Sequence, residues 1–139
     1  MHFEDSIEVS APASAVFDAY VDVVHWPSWT SSVTSVELLD PGPFRRGMRA
    51  RVRQPRLPVA VWQVTELVPG RSFTWVARSR GLVTTGTHVV VPLGEGSCTA
   101  TAMLDQDGLL GPVVGLSIRG LTNRYLRTEL EGLRAYCES

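Results

Sequence analysis

Apolar and polar residues alternate at the start of the chain, where Phe3, Ile7 and Val9 all occupy odd-numbered positions. This period of two predicts a half-buried β-strand. Residues 10–12, Ser-Ala-Pro, then provide a helix start, because a proline in the first turn lacks only an N–H that has no helical partner. The pattern therefore predicts a strand followed directly by a helix.

Helical spacing continues at Val16, Tyr20 and Val24. Pro27 should end this helix or begin a second short one, because the residue before a proline disfavours helical geometry. The sequence therefore predicts a helix, a break and another turn or two within residues 11–30.

Residues 32–105 change to short β-rich runs separated by turns that contain glycine or proline. The runs are SVTSVELL, GMRARVRQ, VAVWQVTEL, SFTWVARS, LVTTGTHVVV and CTATAML. Separators such as PGPFRRG and VPGR are typical of antiparallel hairpins and short loops. Together with the first strand, these runs predict seven strands.

The last segment, from about Pro112 to Glu138, is predicted to be one long amphipathic helix. Its apolar stripe is expected to be buried along the full length and consists of Val114, Ile118, Leu121, Tyr125, Leu130, Leu133 and Cys137. A long closing helix after six consecutive strands predicts an α+β fold, in which a strongly curved seven-stranded antiparallel sheet wraps around that helix. Residues 1–139 are expected to form a single domain of this kind.

Composition narrows the possible functions. The chain is 44% hydrophobic and 19% charged, has no apolar run long enough to span a membrane, and begins with an acidic, alternating segment, so we expect a soluble cytoplasmic protein. All 13 basic residues are arginine, which excludes Schiff-base chemistry on a lysine and Walker-type phosphate binding.

Metal and cofactor motifs are missing from the sequence. Cys98 and Cys137 lack the spacing of zinc ligands, a disulfide is not expected in a reducing compartment, and the three histidines are scattered. We find no glycine-rich dinucleotide fingerprint and no nucleophile elbow. The sequence therefore predicts no metal and no cofactor.

Three segments carry a resemblance to a known family: SAPASAVFDAYVDVVHWPSW (residues 10–29), VWQVTELVPGRSFTW (61–75) and NRYLRTELEGLRAYCE (123–138). Together with the order of elements, they resemble the polyketide cyclase/dehydrase branch of the START-like (SRPBCC) superfamily. The resemblance covers essentially the whole chain. It implies a helix-grip fold, in which the sheet and the long helix enclose an apolar pocket that short helices and loops open or close.

Residues for the wall of this pocket follow from strand faces and from the resemblance. The proposed ligand-binding residues are Trp26, Trp29, Trp62, Trp75, His88, Leu109, Leu110, Ile118, Leu121 and Tyr125. The alternation of residues leaves open which strand faces point inward. Trp26 and Trp29 have a second interpretation, since buried tryptophans commonly fill core space alone.

Three residues are candidates for acid–base catalysis. His88 lies inside a predicted strand, and a neutral imidazole in a pocket can act as a general base. Tyr125 and Glu129 are four residues apart on or near the apolar stripe, where burial would raise the pKa of a carboxyl group. The alternatives are a structural or solvent-facing histidine and a Glu129 paired at the edge of the stripe.

The segment from Arg45 to Arg56 contains six arginines, and no acidic residue occurs from Pro41 to Thr65. One interpretation is a solvated face that protects an edge strand from pairing with other chains. The other is a docking site for an acidic protein partner. Nucleic acid is not expected, because the net charge is −1 and no RNA-stacking motif is present. Monomer and homodimer both remain open.

Two functions follow from these observations. The first is non-covalent binding of a small hydrophobic or aromatic molecule, lipid-like or polyketide-like, in an internal cavity. The alternative is a polyketide cyclase, aromatase or dehydratase that uses pocket acid–base residues. Access is expected through the segments 22–30 and 105–112, with Leu109 and Leu110 packing towards Trp26 and Trp29 in the closed state.

Overall fold

The computed structural model describes residues 1–139. Its strands are β1 (His2–Val9), β2 (Ser35–Leu38), β3 (Arg49–Arg53), β4 (Ala60–Val68), β5 (Ser72–Ser79), β6 (Leu82–Pro92) and β7 (Cys98–Asp107). Its helices are α1 (Ala13–Val21), a 3-10 helix (Val23–Ser28), α2 (Gly111–Ser117) and α3 (Arg119–Glu138). None of the helices is long and apolar enough to cross a membrane.

The seven strands form one antiparallel sheet in the order β1-β7-β6-β5-β4-β3-β2. Strands β2 to β7 follow one another as hairpin-connected neighbours, and β1 pairs with β7 so that Val9 lies opposite Cys98. The register of β4 against β5 shifts between Val64 and Glu66. Irregularities of this kind increase the local twist and bend a sheet. The predicted curved sheet with a long C-terminal helix is confirmed.

Helix α3 closes the concave side of the sheet. Leu126, Leu130 and Leu133 are buried and belong to the same apolar cluster as Phe73 and Val90. The helix also contacts β1, β7 and α1. A side chain such as Leu130, with no exposed surface, gains the full benefit of burial, about 2 kcal/mol. The contact between the sheet and α3 therefore contributes to the apolar core.

The predicted break between the first two helices is present but lies earlier than Pro27. Helix α1 ends at Val21, and Asp22 leaves helical geometry with ψ at 61°. The carboxylate of Asp22 accepts a hydrogen bond from Nδ1 of His25 at 2.8 Å, which is a local interaction that competes with helix continuation. Pro27 lies inside the 3-10 helix. Val24, which continues the helical spacing in the sequence, is exposed.

The C-terminal region differs from the predicted single helix in two ways. Strand β7 continues to Asp107, which lies opposite Val83 on β6, because ladder pairing overrides the polar composition of residues 105–107. The helix is interrupted at Ile118, between α2 and α3. The expected burial of the stripe along its full length holds only in part. Leu130 and Leu133 are buried, whereas the other stripe residues are half-buried, namely Val114, Ile118, Leu121, Tyr125 and Cys137.

Strand β3 carries the centre of the arginine-rich segment, but it is not an edge strand. The edge is β2, and it lies beside β3. Arg49 donates to Asp40 at 2.9 Å, and Arg51 pairs with Glu37 on β2. Part of the positive charge is therefore compensated within the chain.

Candidate functional site

A cavity of about 770 Å³ lies between the concave face of the sheet, α3 and the loop that joins β3 to β4. Of its 31 lining residues, 19 are hydrophobic. The predicted site residues on its wall are Trp26, Trp62, Trp75, His88, Ile118, Leu121, Tyr125 and Glu129. Trp29, Leu109 and Leu110 do not line it. The structure thus brings most of the predicted residues to one space.

The inward strand faces, which the sequence left open, are now defined. Trp62 on β4 and Trp75 on β5 face the cavity, as do Gly86 and His88 on β6. A Cβ atom at Gly86 would lie 3.1 Å from the indole of Trp75. The glycine therefore provides the space in which the indole lies against β6.

Trp26 serves both as core and as cavity wall. Its side chain is only 2% exposed, and its Nε1 donates to the carbonyl oxygen of Tyr20 at 3.0 Å. Its ring lies 5.4 Å from that of Trp75 and 5.2 Å from that of His88. Trp29 is different, because it is half-buried and stacks on Tyr136 with ring centroids 6.3 Å apart. The proline between the two tryptophans thus separates an inward ring from an outward one.

His88 lies at the inner end of the cavity. It is opposite Phe73 in the β5–β6 register, and the two rings stack with centroids 4.3 Å apart. Burial lowers the pKa of His88 to about 3, because the charged imidazolium would lose its hydration. Its Nδ1 has no hydrogen-bond partner in the protein. The imidazole is therefore neutral at physiological pH.

Glu129 projects from α3 towards the same point. Its Oε2 lies 3.9 Å from Nε2 of His88, beyond hydrogen-bond distance, and has no hydrogen-bond partner in the protein. Burial raises the pKa of Glu129 to about 8. At pH 7 the carboxyl group is therefore protonated. The cavity ends at an uncharged acid beside an uncharged base.

Tyr20 is a third buried polar group here, and the sequence analysis did not single it out. Its ring lies 5.1 Å from that of His88, and its hydroxyl has no hydrogen-bond partner in the protein. Burial raises the pKa of the Tyr20 phenol, which stays protonated. Its helical spacing on α1 was the only signal in the sequence, and such spacing is equally typical of core packing.

Tyr125 has a structural use in addition to lining the cavity. Its hydroxyl donates a hydrogen bond to the carbonyl oxygen of Pro55 in the β3–β4 loop. This bond fastens the loop to α3 across the cavity. The hydroxyl is thus already engaged, unlike the carboxyl group of Glu129 one turn later on the helix.

A second polar pair on the wall was missed. Thr84 on β6 donates to the Oε1 of Gln106 on β7 at 2.8 Å, and both side chains are buried. Thr84 shares its strand face with His88, so alternation was a usable signal. Gln106 carried none, because it lies in the segment 105–112, beyond the last predicted strand run.

The predicted packing of Leu109 and Leu110 on the tryptophans is wrong for this structure. Leu109 is 93% exposed. Leu110 instead packs on the β5–β6 turn, where its N–H donates to the carbonyl oxygen of Gly81 at 2.8 Å. The physical reason is the short connection between β7 and α2. Because β7 extends to Asp107 and α2 begins at Gly111, the residues between them cannot reach Trp26.

Comparison with known proteins places this geometry in context. The sequence profile of a family described as "Polyketide cyclase / dehydrase and lipid transport" matches residues 1–138. No curated protein sequence matches the chain. Three similar solved structures have low sequence identities to this chain and therefore establish a shared fold alone.

The Zhui aromatase/cyclase from Streptomyces sp. R1128 is 16% identical with a TM-score of 0.80, over 99% of this chain and 93% of that one. A START superfamily protein from Mycobacterium smegmatis is 19% identical with a TM-score of 0.78, over 97% of both chains. Norcoclaurine synthase from Thalictrum flavum, solved with dopamine and hydroxybenzaldehyde, is 14% identical with a TM-score of 0.74, over 98% of this chain and 85% of that one.

Proposed function

The chain belongs to the family of polyketide cyclases, dehydrases and lipid-transport proteins, and from this premise we propose that it binds a small hydrophobic or aromatic molecule non-covalently in the cavity. The observation that carries the proposal is the cavity itself. Its volume of about 770 Å³ falls in the range of small-molecule sites, roughly 300–1,000 Å³. A space of this size would be filled by side chains in a purely structural core.

The chemistry of the wall indicates the kind of ligand. The indoles of Trp26, Trp62 and Trp75 offer flat aromatic surfaces, which favour offset or edge-on contacts with another ring. Norcoclaurine synthase, which shares the fold, was solved with two aromatic molecules bound. An aromatic or otherwise flat apolar body suits this wall.

The inner end would orient such a ligand. The protonated carboxyl group of Glu129 can donate a hydrogen bond to a ligand carbonyl, and the neutral imidazole of His88 can accept one from a hydroxyl. Because Nδ1 of His88 and Oε2 of Glu129 lack hydrogen-bond partners in the protein, a ligand that supplies bonds to these two atoms removes their desolvation penalty, about 1–3 kcal/mol for each atom.

Fluorescence of the cavity tryptophans tests the proposal, with β-naphthol as the probe. We expect saturable quenching in the wild type and a loss of binding in A77F, because Ala77 lines the cavity and the added ring occupies it. V91F is the matched control, since Val91 is exposed on the same sheet and does not line the cavity. Equal affinity in A77F and V91F, or no binding to the wild type, would contradict cavity binding.

Catalysis is a second candidate, favoured by the 3.9 Å approach of His88 to Glu129. In a dehydration, the Glu129 carboxyl group would protonate a leaving hydroxyl while the His88 imidazole takes the proton from the neighbouring carbon. The C–O and C–H bonds break, a C=C bond forms, and water leaves. The low pKa of His88 makes it a weak base, so binding remains the better supported function.

A phenyl-substituted β-hydroxy ketone tests the catalytic candidate, because its elimination product absorbs in the near ultraviolet. Acceleration by the wild type and its loss in E129Q are the expected results. E129Q retains the size of the side chain and the capacity to donate, but it cannot transfer a proton. Identical rates in the two proteins, with β-naphthol still bound, would refute catalysis and leave binding in place.

Two finer features also belong to the proposal. We place the protein in the cytoplasm, which suits its free cysteines.

An acidic protein partner at Arg45–Arg56 would bind the arginines that have no acidic partner within the chain, among them Arg46 and Arg53. Arg49 and Arg51 are already paired with carboxylates.

A further inference from the structure

The charged groups on the cavity wall are distributed unevenly. His88 and Glu129 at the inner end are uncharged at neutral pH, and the lining residues that carry a charge are Arg56 and Arg78. Both are exposed, and neither forms a salt bridge or a side-chain hydrogen bond within the protein. The solvent side of the cavity is therefore positively charged, and no carboxylate on its wall offsets that charge.

Arg56 is also conformationally unusual. Its φ of 66° makes it the only residue other than glycine in the left-handed region. Glycine or asparagine adopts this conformation at lower cost, so the backbone alone does not favour an arginine at this position. Strained residues persist where the surrounding structure holds them, commonly at binding sites.

The loop around Arg56 is held by its neighbours. The hydroxyl of Tyr125 binds the carbonyl oxygen of Pro55, and the N–H of Leu57 donates to the carbonyl oxygen of Gln54 at 3.3 Å. Tyr125 and Leu57 both line the cavity. The side chain of Arg56 therefore extends from a backbone position that is held in place at the rim of the cavity.

We propose that Arg56, assisted by Arg78, binds an oxyanion carried by the cavity ligand, so that the ligand is an anionic amphiphile with its apolar body inside and its carboxylate or phosphate at the rim. This inference rests on the proposed function and specifies its ligand class. A planar guanidinium binds either oxyanion in bidentate fashion. At the exposed rim the anion keeps part of its hydration, which avoids the cost of burying a charge.

The polarity of the cavity supports this orientation. The inner end has uncharged polar groups, the middle is bounded by Trp62 and Trp75, and the rim has the two arginines. A carboxylate directed inward would meet the aromatic cluster around His88 without a cation to balance it. The reverse orientation is therefore disfavoured.

Paired probes test the inference: β-naphthoate and its neutral analogue β-naphthamide, with affinities measured by calorimetry at low salt. The wild type should prefer naphthoate by about tenfold, the size of one charge-assisted contact. R56Q should lose this preference, so that the ratio of the naphthoate and naphthamide affinities falls to about one. R53Q is the matched control, since Arg53 is an exposed arginine of the same segment that does not line the cavity, and it should keep the preference.

Each outcome has a distinct meaning. Loss of the naphthoate preference in R56Q but not in R53Q supports the inference, and R56G should lose it equally while relieving the backbone strain. β-Naphthyl phosphate, compared with naphthoate, identifies which oxyanion the rim prefers. Equal binding of naphthoate and naphthamide to the wild type overturns the inference alone. Failure of every probe to bind overturns the proposed function with it.

Discussion

The two ends of the cavity differ in burial and in charge. The inner end, formed by Tyr20, His88 and Glu129, is buried and carries no charge at neutral pH. The outer end is the rim, where Arg56 and Arg78 are exposed. The neighbouring helix α2 exposes Val113 and Leu116, which do not line the cavity. A buried interior beneath an exposed rim is the arrangement expected of a site that must admit its ligand.

The largest expected effect is on the free energy of unfolding, which should depend far more on the buried face of α3 than on the exposed face of α2. L130A removes a fully buried side chain and should lower the free energy of unfolding by about 2–5 kcal/mol. L116A truncates a side chain that is 61% exposed and should change it by less than about 0.5 kcal/mol. Urea denaturation measures both. Similar losses in the two variants would remove the distinction between the regions.

Two glycines of α3 provide a sharper test of the same comparison. In G132A the new Cβ would lie 2.0 Å from the carbonyl oxygen of Trp29, whereas at Gly120 nothing lies within 4 Å. G132A should destabilise by about 1–3 kcal/mol, because backbone must move. G120A should stabilise by up to about 1 kcal/mol through helix propensity. Thermal denaturation of the two variants gives the sign, and a stabilised G132A would contradict the close packing of α3 on this segment.

The pH dependence of stability tests the inner end. The pKa of Glu129 rises from 4.5 to about 8 on folding, so the folded state keeps a proton that the unfolded state releases. Stability contributed by this group therefore falls as pH increases between these values, by about 1.4 kcal/mol per pH unit. E129Q lacks the effect.

His88 acts in the opposite direction, because its pKa falls from 6.5 to about 3 on folding and stability is lost as pH decreases through that range. Subtracting the curve of E129Q from that of the wild type cancels this contribution. The difference should decline steadily from about pH 5.5 to about pH 7.5. A flat difference would show that Glu129 titrates normally and is not desolvated.

The predictability of the site from sequence varied with the range of the interactions. Period two placed Trp75 and His88 correctly on their strands, because alternation is a local property. The meeting of Tyr20, His88 and Glu129 was not predictable, since it joins α1, β6 and α3 and depends on how the sheet curves. The end of β7 was missed for the same reason, because its pairing with β6 outweighs the polar residues at its end.

The most direct test of cavity binding is to locate a bound probe by NMR. In a complex with β-naphthol, intermolecular nuclear Overhauser effects should connect the naphthyl protons with ring protons of Trp62, Trp75 and His88. These residues all line the cavity. Contacts restricted to Leu109, Val113 and Leu116 on the exposed outer surface, or no contacts at all with a saturating probe, would contradict the proposal that the cavity is the binding site.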